Sequence, residues 1–418
     1  MGLFGSGGLV VRTVDRAGPA TSSRTMRPLV LDVSRLLTGL RFAGPTGVET
    51  LELGLAQHLP PHEALALTPW GARRLSPAAR KGVARAAVRR WREDKVAVAD
   101  ELAGVAAALR GEPVSPAPPA RDRSLVAAAR FVPQLMRSAR GLPEGAVTLH
   151  TGFFRLERPE LFAFKAKRPD LKTIIAFHDL LPLKHPEWFR PGEAALHRAR
   201  LMTALRIGDA IVTGAQTVKT EILTFAAETG VTPPRVEVID LPVSARFGAT
   251  AAPAFGGAPY MLVSGTIEPR KNHTLLLEVW KRLGRQAPKL VIAGRRGWSN
   301  DAVFAALDAK PENVLELPGL SSGAMASLMK GAAAVLSPSF DEGYGLPVAE
   351  ALSAGTPVIA ADTAVYRDLW GERARLVDPV DVDAWVDAVR NASGRQAAFT
   401  RTDWATYVSA LQGVAGGL

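Results

Sequence analysis

Two doubly wound α/β domains, each a parallel sheet covered by helices on both faces, are the fold this sequence predicts. Short β-branched runs alternate with helix-length segments along the chain, the pattern of parallel strands buried on both faces. The chain has 418 residues, beyond the roughly 250–300 at which single cores stop growing, so two domains are expected. Between the two sets of runs lies APAFGGAP, residues 252–259, with the small-residue composition of an interdomain linker.

The elements follow in order. Residues 1–26 are a Gly- and Ser-containing leader without the uninterrupted apolar segment of a signal peptide, and Met26 stands just ahead of the first strand. Runs at 28–33 (PLVLDV), 146–150 (AVTLH), 173–177 (TIIAF), 210–214 (AIVTG) and 236–240 (VEVID) read as strands of the first half. In the second half the strands are 260–265 (YMLVSG), 290–294 (LVIAG), 314–317 (VLEL), 333–338 (AAVLSP), 357–362 (PVIAAD) and 374–378 (ARLVD). The expected division is a leader over 1–26, a first Rossmann-like domain over 27–250, a second over 258–395, and a tail over 396–418.

Charge is unevenly placed. Lys plus Arg number 51 and Asp plus Glu 40, a formal net charge of +11. Residues 73–140 hold 15 basic against 6 acidic side chains, +9, whereas 258–395 hold 15 against 16, −1. Two Ala- and Arg-rich stretches, 73–95 and 121–140, read as helices, with PVSPAPP (113–119) as a loop between them. In the second, Leu125, Val126, Ala129 and Val132 lie at helical spacing with Arg123, Arg130, Arg137 and Arg140 interleaved. That pattern suits an anionic membrane surface, and equally a helix packed on its own domain with a solvated basic face. The chain contains no cysteine, which excludes disulfides, zinc–thiolate sites and thiol nucleophiles and fits a reducing, cytoplasmic compartment.

Parallel sheets bind ligands at the carboxyl ends of their strands, so chemistry is sought there. The turn SFDEGYGLPVAEALSAG follows the run at 333–338. Gly343 and Gly345 let amides crowd against a ligand, Pro347 suits a helix's first turn, and a helix N-terminus favours an anion such as phosphate. Glu342 at its lip and Glu350 one turn inside suit sugar hydroxyls on either side of a diphosphate, although Glu350 also has a purely local capping or pairing reading. A second turn, Gly265-Thr266-Ile267-Glu268-Pro269-Arg270-Lys271-Asn272, sets two cations at a strand end, where they can neutralise phosphates. A third, Gly294-Arg295-Arg296-Gly297-Trp298, adds charge and an aromatic face.

Together GTIEPRKN, IAGRRGW and PSFDEGYGLPVAEALSAGTPVIAAD closely resemble the retaining, nucleotide-sugar-dependent glycosyltransferases of family 4. The resemblance covers nearly all of 258–390 and implies the GT-B fold, two Rossmann-like domains facing each other across a cleft. The GTxEPRKN and HDLLPLxHPE forms are most similar to bacterial mannosyltransferases of surface polysaccharide synthesis, lipopolysaccharide included. By that resemblance Glu342 contacts donor-sugar hydroxyls and Glu350 holds the ribose. The amides near Gly343, Tyr344, Gly345 and Leu346 meet the sugar or diphosphate, and Lys271 is the phosphate cation. Gly265, Thr266 and Arg295 complete the donor side. Many relatives have Arg where this chain has Thr266, and Arg270 is the neighbouring residue available to supply that charge.

In the first half, Gly44-Pro45-Thr46-Gly47-Val48-Glu49 resembles the Gly-rich first loop of GT-B enzymes, with Gly47 reaching toward the donor phosphates; a plain loop and helix start is the other reading. His178, at a strand end and followed by Asp179, is implied to touch the donor sugar or the reacting centre, and His185 is a further acceptor-side candidate. His150, also at a strand end, reads as structural.

The D-x-D at Asp381 and Asp383 follows Asp378-Pro379 and opens a helix, so N-terminal carboxylates explain it and no metal is expected. No other cofactor is expected. The resulting expectation is a retaining, metal-independent hexosyltransferase, with GDP-mannose as leading donor and a glycan or lipid-linked glycan as acceptor, peripheral at the inner face of the cell membrane. A UDP-sugar or deoxyhexose transferase of the same fold is the alternative. A non-catalytic sugar-nucleotide sensor and a basic nucleic-acid-binding protein are the readings of another class. The last lacks a recognisable binding module, so no nucleic-acid partner is expected.

Overall fold

The computed structural model describes residues 27–41, 45–91, 95–112, 138–248, 255, 259–392, 394 and 396–418. They form two sheets. The first contains β1 (Leu29–Asp32), β2 (Glu63–Thr68), β3 (Gly71–Leu75), β4 (Val147–His150), β5 (Lys172–Ala176), β6 (Ala210–Thr213) and β7 (Arg235–Val238), in the order β3-β2-β1-β4-β5-β6-β7. The second contains β8 (Tyr260–Ser264), β9 (Lys289–Ala293), β10 (Val314–Leu317), β11 (Ala334–Ser337), β12 (Val358–Ala361) and β13 (Arg375–Val377), in the order β10-β9-β8-β11-β12-β13. Every pairing is parallel except β2 with β3. The central strands β1, β4, β6, β11 and β12 are buried at every residue, as sheets covered on both faces require.

Helices α1 (Ser34–Gly39), α2 (Gly47–His58), α3 (Pro77–Arg90), α4 (Lys95–Arg110), α5 (Glu193–Ile207) and α6 (Gln216–Glu228) belong to the first half. Helices α7 (His273–Leu283), α8 (Asp301–Asp308), α9 (Ser322–Gly331), α10 (Leu346–Ser353), α11 (Ala364–Trp370) and α12 (Val382–Arg390) belong to the second, and α13 (Trp404–Gly416) closes the chain. Helix α13 returns to the first half: Trp404 stacks on His58 of α2 with centroids 5.0 Å apart. Gly54 makes room for that indole, since a Cβ there would lie 2.0 Å from the ring. Helix α4 crosses the other way, where Glu101 accepts hydrogen bonds from the Ser321 amide at 3.0 Å and hydroxyl at 2.6 Å.

All eleven strand runs expected from sequence are strands, but the basic stretch expected as a helix over 73–95 is not continuous. Residues 73–75 belong to β3, an edge strand pairing antiparallel with β2, and α3 begins at Pro77 with the Ser76 hydroxyl capping the Ala79 amide. Ala72 and Leu75 are buried while Arg74 is half-exposed and pairs with Glu63, so a charged edge strand replaces the first turn of the expected helix. The leader, the loop at 113–119 and the second basic stretch up to residue 137 lie outside the described residues, as do all but Phe255 and Pro259 of the linker. No described helix is long and apolar enough to cross a membrane.

Candidate active site

The second sheet changes winding direction between β8 and β11, neighbours in space whose connections run to opposite sides. In doubly wound sheets that switch opens a crevice at the strands' carboxyl ends. The turns after β8 and β11 meet there. Lys271 donates to Glu342 Oε1, and Arg270 reaches Glu342 Oε2 at 2.8 Å and Glu268 Oε1 at 2.7 Å. Burial alone would raise the Glu342 carboxyl, but Arg270 and Lys271 overcome it and hold it at about 2. Glu268 behaves oppositely, since burial outweighs its cations and moves it above the usual range. Burial opposes charge on Arg270, yet Glu342 and Glu268 raise it further and keep it cationic. The sequence expected Glu342 to meet sugar hydroxyls and the cations to meet phosphates. The fold also places Glu342 between both cations, a pairing of residues 71 apart that local reading does not reveal.

The turn Gly343–Leu346 supplies open donors. Gly345 caps α10 at φ 86°, ψ 54°, where a side chain would strike the Tyr366 ring at 2.4 Å. The amides of Gly343, Tyr344, Gly345 and Leu346 have no protein acceptor among the described residues, and the first turn of α10 carries no acid. Open amides at a helix N-terminus are the kind of donors an anion can use. The Tyr344 side chain is structural: its hydroxyl donates to the Leu241 carbonyl at 3.3 Å, and its ring meets Trp370 edge-on.

Glu350 is half-buried on α10, and its carboxyl makes no hydrogen bond or ion pair among the described residues. Burial pushes its carboxyl up to about 8, so the local capping or pairing reading fails. Gly265, at φ 123°, lies beside Lys271, with a Cβ position 3.8 Å from the ammonium nitrogen. Thr266 is half-buried against Gly297, and Arg295 is exposed after β9. The adjacent Arg296 is occupied by Glu316 and Asp308.

The first half closes on this turn from the opposite side. Gly47 starts α2 behind a capping box in which the Glu49 side chain reaches back to Thr46. A Cβ on Gly47 would lie 3.0 Å from Leu346, so the N-termini of α2 and α10 converge. His178 follows β5, and its Nε2 donates to the Thr151 carbonyl at 2.7 Å. Burial lowers its pKa, so the imidazole is neutral near pH 7. The Asp179 carboxylate accepts the Leu181 amide at 3.2 Å, and its carbonyl accepts from His197 Nε2 at 2.9 Å. His185 stacks on Trp188 at 3.9 Å and lies 3.6 Å from Asp341, which also pairs with Lys184 at 2.5 Å. It is thus a bridge between the halves as much as a cleft residue.

The fold brings Gly47, His178, Asp179, Arg270, Lys271, Glu342 and the Gly343–Leu346 amides to one junction. His150 is buried, its Nδ1 2.8 Å from Asp32. Asp381 caps the Ala384 amide at 2.9 Å and Asp383 pairs with Arg282, so this D-x-D builds a helix start. Sequence reading did not single out Glu52, Thr151, His197 and Tyr366, polar residues whose contacts appear only after strands assemble; the strand end at His150, directly before Thr151, was the available signal.

Residues 250–407 match the family described as Glycosyl transferases group 1. A 217-residue stretch is 28% identical to the serotype-specific mannosyltransferase WbdA of Escherichia coli, covering 47% of this chain and 27% of that protein. A 230-residue stretch is 28% identical to the O-antigen chain mannosyltransferase B of Escherichia coli, covering 51% of this chain and 59% of that one. The chain therefore spans between about a quarter and three fifths of the length of these relatives. Among solved structures, Anabaena Alr3699/HepE in complex with UDP-glucose aligns with a TM-score of 0.62 at 16% identity, over 94% of this chain and 100% of that one. That likeness establishes the fold. With its Glycosyl transferases group 1 match over residues 250–407, the chain resembles the GT-B glycosyltransferases, the O-antigen mannosyltransferases among them.

Proposed function

We propose that this protein is a retaining, metal-independent glycosyltransferase of surface polysaccharide synthesis, moving a hexose from a nucleoside diphosphate sugar to a hydroxyl on a glycan or lipid-linked glycan. The observation that carries the reading is the convergence of Arg270, Lys271 and the open amides of Gly343–Leu346 at the β8–β11 crevice. A diphosphate is the ligand whose charge needs that many donors. Mannose from GDP-mannose is the leading donor, supported by the mannosyltransferase relatives. A UDP-sugar or deoxyhexose donor is the alternative, because no described group here discriminates the base.

In the reaction, the acceptor oxygen bonds to the anomeric carbon as the bond from that carbon to the diphosphate oxygen breaks. Attack and departure share one face, and the acceptor proton passes to the departing phosphate. Arg270, Lys271 and the amides stabilise the developing charge in a water-poor cleft. Glu342 sets the positions of both cations and offers oxygens to sugar hydroxyls, while the Glu350 carboxyl, without a partner among the described residues and neutral near pH 7, is free to bond the ribose.

The acceptor side is the first half, which also presents Lys81, Arg85 and Arg89 outward on α3. These cations suit an anionic inner membrane face; retention on anionic but not neutral vesicles, reversed by salt, tests it. A thermal-shift panel of nucleoside diphosphates and sugar nucleotides tests the donor, since only ligands that favour the folded form raise the melting temperature. GDP-mannose should stand out, and transfer should persist in EDTA with the anomeric configuration kept. A flat panel, combined with salt-sensitive retention of RNA or DNA, would replace the enzyme reading with a nucleic-acid one. Binding without turnover would mark a sensor.

A further inference from the structure

Polar groups that phosphate chemistry leaves unused lie along the carboxyl edge of the first sheet. Glu52 sits in the middle of α2, Thr151 follows β4, and His178 follows β5. Glu52 and Thr151 are 1% and 5% exposed, so each bond they make is protected from water. The bonds run in series. The Leu36 amide donates to Glu52 Oε1 at 2.9 Å, and Thr151 Oγ1 donates to Glu52 Oε2 at 2.9 Å. The Thr151 carbonyl then accepts from His178 Nε2 at 2.7 Å. A carbonyl oxygen can only accept, so Nε2 carries the ring proton. In a neutral imidazole the other nitrogen is then a bare acceptor. Nδ1 has no protein partner among the described residues, and the ring stands where Gly343 of the second half abuts the His178 backbone.

We propose that Glu52 and Thr151 are positioning residues for His178: they fix its imidazole in the Nε2–H form and hold the Nδ1 lone pair ready for a sugar hydroxyl in the cleft. This rests on the glycosyltransferase reading. A bare nitrogen acceptor takes an O–H donor and has nothing to offer a phosphate, which leaves anion binding to Arg270, Lys271 and the α10 amides. The hydroxyl is thereby read by the first half and the diphosphate by the second. Glu52 faces Asp32 of β1 and Arg35 of α1; burial, then Asp32, push its carboxyl well above the usual range, against the Leu36 amide, Thr151 and Arg35. Glutamine is accordingly its conservative replacement.

The test is long-range proton–nitrogen spectroscopy of the imidazoles in the 15N-labelled full chain, with His178→Gln assigning the signal, beside steady-state transfer from GDP-mannose. The wild type should show the Nε2–H form. Glu52→Ala and Thr151→Val should show mixed ring forms and lose about tenfold in kcat/KM, the size of one ordinary hydrogen bond, and Glu52→Gln should restore most of the Glu52→Ala loss. A wild-type ring protonated at Nδ1 overturns the proposal, and so does Thr151→Val with unchanged ring form and turnover. The wild-type spectrum decides even where Glu52→Ala does not fold. Absence of transfer by the wild type from GDP-mannose and from every other sugar nucleotide of the thermal-shift panel overturns the glycosyltransferase reading instead, since the ring form is measured without turnover.

Discussion

Replacing Gly343 with alanine sets a methyl group against the opposite half of the molecule. An ideal Cβ at this position lies 2.2 Å from the His178 carbonyl oxygen and 2.9 Å from Asp179 Cβ. Ordinary contact begins near 3.4 Å, so 3.4 − 2.2 = 1.2 Å must open. The His178 side cannot yield cheaply. The Phe177 amide is bonded to Val212, and the Asp179 carbonyl is bonded to His197 at 2.9 Å. The turn carrying the anion-binding amides therefore withdraws by about that distance. A displacement near 1 Å at a reacting centre costs on the order of 100-fold in rate, and overpacking costs about 1–3 kcal/mol of stability. Steady-state transfer from GDP-mannose, with thermal melting as the check on folding, should show kcat/KM down about 100-fold in a protein that remains folded. Wild-type turnover with unchanged melting would refute the close approach of the two halves. A large melting loss with full activity of the folded fraction would refute its link to catalysis.

Lys271→Ala should lower kcat by at least about 100-fold, the usual loss of a transition-state charge donor, while Arg270 still neutralises Glu342 and preserves the fold; a variant with full turnover would remove Lys271 from the site. Glu342→Ala should destabilise as well as inactivate, by up to roughly 3–5 kcal/mol, because it leaves Lys271 without its carboxylate beside an Arg270 that keeps only Glu268, and denaturant unfolding measures this. Burial pushes the Glu350 carboxyl from an ordinary value near 4.5 up to about 8, so its neutral form favours folding at low pH and that contribution is lost as pH rises through 8. Glu350→Gln should therefore flatten the fall in melting temperature between those pH values and weaken sugar-nucleotide binding; a parallel pH curve would contradict the burial argument. Asp381→Ala should cost about 1 kcal/mol through its lost cap and leave transfer intact with or without EDTA, whereas transfer abolished by EDTA and restored by magnesium would overturn metal independence.

The strands that bury both faces announce themselves locally, because an unbroken β-branched run has few other uses. Eleven of them were legible, and with them the strand ends where the glycine turns and cations sit. The inner strand β2 and the edge strand β3 were not. Residues 71–75, GARRL, carry two arginines in an Ala- and Arg-rich region, and it is pairing with β2, along with a bridge from Arg73 to Ser138, that holds them extended. The same division runs through the site. Gly345 as a left-handed cap and Pro347 in the first turn of α10 follow from backbone chemistry within a few residues.

Partnership across long separations does not follow that way. Glu342 between Arg270 and Lys271, Gly343 against His178, and Glu52 tied through Thr151 to His178 each join residues from different strand ends. Composition and spacing set which residues reach the cleft, because strand ends and turn chemistry are local consequences of side-chain burial and backbone freedom. Which carboxylate stays charged, which becomes neutral, and which imidazole nitrogen keeps its proton depend on desolvation and on neighbours assembled from the whole chain.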